Sequence, residues 1–88
     1  MAKIRELKKE VNYLTFEVIE DCNTFISYHP DKKDDAIKLI ENAVKLRNEL
    51  IKKINHPAEV SNKYFKEIET SLITGADEIF EKLRKLIS

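Results

Sequence analysis

The sequence predicts an all-α fold, an antiparallel up-down-up bundle of three helices forming one domain over residues 1–88. Three observations carry this reading. One glycine and two prolines in 88 residues, with 36% of the chain charged, leave too little turn-forming material for a β protein. Apolar residues recur at helical spacing in three long runs. The runs are separated by His29-Pro30 and His56-Pro57, which use both prolines and both histidines of the chain.

The first helix is expected over about residues 2–28. At 100° per residue, Ile4, Leu7, Val11, Leu14, Val18, Cys22 and Phe25 fall within a stripe of roughly 80°, with Ile26 at its edge. The second is expected over about 31–55, where Ala36, Ile37, Leu39, Ile40, Ala43, Val44, Leu50, Ile51 and Ile54 cover close to half the circumference. A stripe that wide faces two neighbours. The third is expected over about 58–87, with Phe65, Ile68, Leu72, Ala76, Ile79, Leu83 and Leu86 aligned and Ile73, Phe80 and Ile87 flanking them. Gly75 could split this last helix, with Thr74 and Asp77 capping a short fourth one. The apolar stripe nevertheless keeps its phase from Leu72 through Ala76 to Ile79, so one helix is expected, straight or kinked. Gly75 then costs about 1 kcal/mol relative to alanine, and close approach of a neighbouring helix would be the reason to tolerate it.

Each His-Pro is expected to end one helix and begin the next. Proline fixes φ and lacks an N–H, which suits a first helical turn, while the residue before it is pushed out of the α region. Asp31 and Asp34 at one junction, and Asn55 or His56 with Glu59 at the other, offer acceptors for the free N–H groups of the new turns. The second helix, at about 25 residues, would hold its ends roughly 37 Å apart. His29 and His56 then cannot share a metal within one chain, and Cys22 points to the core stripe. The spacings lack the four ligands of a structural zinc site, and no metal or cofactor is expected.

Several residues depart from the stripes. Arg47 lies near the centre of the second stripe and Glu69 inside the third. A partly buried Arg47–Glu69 ion pair that fixes helix register is expected, since a buried guanidinium needs a partner. Tyr13 and Phe16 point to the outer side of the first helix and are the candidate interface. Tyr64 is expected at the rim of the core. Sixteen Lys+Arg balance sixteen Asp+Glu, yet the topology would gather Lys3, Arg5, Lys8, Lys9, Lys52 and Lys53 at one end. Glu17, Glu20, Asp21, Asp31, Asp34 and Asp35 would gather at the other, partly offset by Lys82, Arg84 and Lys85.

A formal charge of zero disfavours a dedicated nucleic-acid or anionic-membrane binder. The single Cys22 cannot form an internal disulfide, and "MAKIRELKKEV" is too charged for a signal peptide or a membrane span, so a soluble, cytoplasmic chain is expected. Glycine-rich phosphate loops, HExxH, nucleophile elbows and cysteine-rich metal patterns are missing. Eight residues separate the arginine and histidine of "RNELIKKINH", more than the usual gap in small helical ribonucleases, and Arg5, Arg47 and Arg84 are scattered. The likeness to short helical chorismate mutases is one of size and class alone.

The phrases "YLTFEV", "DC", "HPDK", "LRNELI" and "INHP", between Tyr13 and Pro57, resemble those of a family of short uncharacterised bacterial all-helical proteins. The resemblance implies helices over the first two-thirds of the chain and implies no activity, cofactor or partner. The expectation is therefore a non-catalytic protein–protein interaction or structural module, binding itself as a homodimer or another helical chain. One alternative is a nucleic-acid accessory protein using Lys8, Lys9, Lys52 and Lys53. The other is a dimeric helical enzyme with a pocket between subunits.

Overall fold

The three apolar runs become α1 (Lys3–Tyr28), α2 (Lys33–Asn55) and α3 (Asn62–Ile87) in a computed structural model that describes residues 3–59 and 61–87. Ala2, expected at the start of the first helix, lies outside the described residues. The helices pack on one another as a three-helix bundle, with α1 lying more extensively against α2 than against α3. The 26 residues of α1 and of α3 make helices about 39 Å long and the 23 of α2 one of about 35 Å, so all three run along most of the 45 Å of a molecule only 17 × 16 Å across.

The first His-Pro works as expected. His29 sits at φ −135°, Pro30 opens a single 3₁₀ turn over Pro30–Lys32, and α2 follows at once. The N-cap residues here, His29 for the 3₁₀ turn and Lys32 for α2, make no side-chain cap bond, and their own N–H groups donate to the Phe25 and His29 carbonyls; Asp31 lies in the first turn of the one and Asp34 in that of the other. Their charge still favours the positive end of the helix dipole.

The second His-Pro corrects the expected boundary. His56 ends α2, its N–H donating to the Lys52 carbonyl, but α3 begins at Asn62 rather than near residue 58. The physical reason is Ser61. Its Oγ accepts the Tyr64 N–H at 3.1 Å, the N-cap arrangement of a helix start, and donates to Glu59 Oε1 at 3.1 Å. Glu59 thus orients the capping hydroxyl instead of capping the helix itself. The Tyr64 hydroxyl reaches back to the Lys53 carbonyl at 3.3 Å, tying the new helix to the end of the old one. At the opposite end of the bundle the Lys32 ammonium donates to the Leu86 carbonyl, supplying one of the acceptors left open at a helix C-terminus.

The core has two parts. Leu7, Val11, Leu50, Ile54, Ile68 and Leu72 form one end. Val18, Cys22, Phe25, Leu39, Ile79 and Leu83 form the other, together with Ala36, Ala43 and Ala76, which are almost wholly buried. Alanines there let the helix axes approach closely. α3 stays continuous through Gly75, as its phase predicted, and the close approach is visible: a Cβ on Gly75 would lie 2.7 and 2.9 Å from the Leu46 methyl carbons.

Periodicity missed Thr15, which is 1% exposed. Its hydroxyl donates to the Val11 carbonyl at 2.7 Å, so it enters the core with its polar demand met inside its own helix. The helical ladder already supplies that carbonyl with a donor. Thr15→Val should therefore be neutral or stabilise by up to about 1 kcal/mol in a denaturant titration. A loss larger than that would mean the hydroxyl bond matters to the fold.

Candidate interaction surface

The side of α1 opposite its core stripe carries two large aromatics. Tyr13 is 71% and Phe16 59% exposed. Spaced i, i+3, they are neighbours on the helix surface, and the face they occupy takes no part in either core cluster. The polar side chains around them on α1, among them Lys9, Asn12, Glu17 and Glu20, are exposed as well.

A second apolar feature is an open cleft of about 450 Å³ between the C-terminal parts of α1 and α3. Phe25, His29, Phe80 and Leu83 line it together with the exposed Asp21 and Arg84. The His29 ring stacks on Phe25 at 4.7 Å with 30° between planes, so its imidazole is held by packing. Arg84 faces Glu81 at 3.4 Å on the solvent side. The walls suit a flat apolar group.

Arg47 and Glu69 are not brought together. Both are exposed, and the Arg47 guanidinium donates to Asn12 Oδ1 at 2.8 Å and to Asn48 Oδ1 at 3.0 Å. The geometry explains the correction. Leu46 is the α2 residue that meets Gly75 of α3. Arg47, next in sequence, is turned about 100° from it toward α1, and Glu69 lies about 120° around α3 from Gly75. Arg47 and Glu69 thus flank α1 from opposite neighbours. The long arginine stem lets a stripe position deliver its charge to solvent. Glu69→Ala should accordingly change stability by no more than about 0.5 kcal/mol, read from the thermal midpoint. A loss of about 3 kcal/mol or more, the cost of breaking a buried pair, would restore the expected ion pair.

Charge is divided along the rod as the topology predicted. The half containing residues 3–14, 45–59 and 61–74 holds ten Lys or Arg and six Asp or Glu, net +4. The half with residues 15–44 and 75–87 holds six and ten, net −4. Among the described residues no helix is long and apolar enough to cross a membrane, and no group of three or more His, Cys, Asp or Glu side chains could hold a metal ion. Comparison of the chain with protein-family models, curated proteins and solved structures returns no match.

Proposed function

We propose that this chain is a small non-catalytic interaction module of the cytoplasm, and that it works by presenting the outer face of α1 to another protein surface. The observation that carries the proposal is the joint exposure of Tyr13 and Phe16, one turn apart on the face turned away from both core clusters. Aromatic side chains bring large apolar area at small cost in side-chain entropy, and they are enriched where binding energy concentrates. Here most of that area is left in solvent by the fold. Replacing both residues by alanine should leave the melting temperature nearly unchanged while abolishing binding. The experiment is to retain proteins from an extract on the parent chain, identify and purify one, and titrate it against the parent and the Tyr13→Ala/Phe16→Ala variant. Equal binding by both chains would sink the reading.

A second reading draws on the net charge of +4 in one half of the rod. Lys8, Lys9, Lys52 and Lys53 could meet a nucleic-acid backbone there. Binding to RNA or DNA that weakens steeply with salt would favour it, and no binding at about 50 mM salt would remove it.

A further inference from the structure

The outer face of α1 is self-complementary, and we infer that its partner is a second copy of this chain, packed antiparallel across a two-fold axis passing beside Leu14 and Thr15. The inference rests on the interaction reading above and names its occupant. Lys9, Tyr13, Phe16 and Glu20 form one exposed strip on α1. At 100° per residue they lie within about 60° of one another, diametrically opposite the buried Leu7, Val11, Val18, Cys22 and Phe25. Their spacings are four, three and four, which read the same in both directions.

Turning a second helix end for end about the midpoint of the strip places residue i opposite residue 29 − i. Tyr13 then faces Phe16 of the second copy, and Lys9 faces its Glu20. Both contacts occur twice, as an isologous interface requires. Every position meets its complement, aromatic on aromatic and cation on anion. A parallel pairing would instead place Lys9 against Lys9 and Glu20 against Glu20.

The rest of the molecule supports the same orientation, since the two halves still carry +3 and −3 once Lys9 and Glu20 are set aside. The strip's midpoint is within about one residue of the midpoint of α1 (Lys3–Tyr28), so two rods related in this way overlap along their full length. The half of net +4 in one copy then lies beside the half of net −4 in the other. Complementary fields of this kind set orientation and speed encounter more than they add affinity. Adhesion comes from the four aromatics, and so small a cluster makes a reversible dimer.

Lys9 and Glu20 are eleven residues apart on one helix, roughly 16 Å along its axis, so they cannot pair within a chain. A charge exchange between them therefore reports only on contact between copies. The experiment is the solution mass by light scattering from micromolar to millimolar concentration, at low salt, with helix content checked by circular dichroism for every chain. The parent should pass from monomer to dimer. Lys9→Glu and Glu20→Lys should each raise the dissociation constant tenfold or more, while the Lys9→Glu/Glu20→Lys double variant should return to within about threefold of the parent. A parent that stays monomeric throughout overturns the inference, and so does a dimer that the double variant fails to restore. Should the parent be monomeric yet bind a different protein through Tyr13 and Phe16, the inference fails and the interaction reading stands. Should the alanine double variant also bind that protein unchanged, both fail.

Discussion

Gly75→Leu should destabilise the bundle by about 3 kcal/mol, the upper end of what overpacking a core contact costs. For a chain of this size that lowers the melting temperature by roughly 12–24 °C. The cause is the point where α3 crosses Leu46. A Cβ alone would already lie 2.7 Å from Leu46 Cδ2 and 2.9 Å from Cδ1, and a leucine adds three further carbons that have no space between α2 and α3. Gly75→Ala tests the same contact at smaller scale. Alanine gains about 1 kcal/mol of helix propensity over glycine. Against this, Leu46 must swing its half-buried end aside, at about 0.5–1.5 kcal/mol if it leaves its preferred rotamer. The two effects nearly cancel, so the single variant should melt close to the parent. In a Leu46→Ala background the obstruction is gone, and Gly75→Ala should become stabilising by about 1 kcal/mol. Gly75→Leu melting like the parent would mean that α2 and α3 do not approach closely here.

The same contact illustrates what the sequence could disclose. The continuity of α3 was legible because the phase of Leu72, Ala76 and Ile79 survives the glycine, and a broken helix would have lost it. The identity of the neighbour was not legible, since one helix's periodicity says which side is buried but not which residue of which helix lies against it. That limit produced the Arg47–Glu69 expectation. Both positions fall within their own stripes, but the stripes of α2 and α3 each face α1 as well as one another, and a wheel cannot say which neighbour a given edge serves. The start of α3 was misplaced for a different reason. Pro57 is a strong local signal, while Ser61 caps without a Glu or Gln three residues on, because Tyr64 stands there. Thr15 escaped because its hydroxyl bonds within its own helix and the residue packs as an apolar one. The outward aromatics were legible, since their angular position alone separates them from the core. Their pairing rule needed the full face, with Lys9 and Glu20 set against Tyr13 and Phe16 and the charge of each half of the rod known.

Cys22 should be protected from a thiol reagent in the folded chain, reacting at least about a thousandfold more slowly than in the unfolded chain at neutral pH, as expected when labelling must await opening of a stable domain. Two causes act together. The side chain is fully buried between the helices, and only the thiolate is nucleophilic. Burial disfavours that charged form, and the nearby Asp21 carboxylate adds to it, so the thiol titrates above its ordinary range. The sign of the pH effect follows. The folded chain holds this proton more tightly than the unfolded chain does. The resulting stability is fully present below the thiol's unfolded value and is lost as pH rises from there through the raised folded value. No penalty exists at neutral pH, where both forms keep the proton. In alkaline solution stability should decline and labelling accelerate, through a larger thiolate fraction in the open chain and through easier opening. Cys22→Ala should remove the part of the alkaline decline that belongs to this group, while melting lower at neutral pH for want of the buried sulfur. Asp21→Asn removes only the lesser of the two causes and should leave the neutral-pH labelling rate within a few-fold, because opening and not local charge controls access. Rapid labelling of the parent at neutral pH would show instead that the bundle around Cys22 opens far more often than its packing implies.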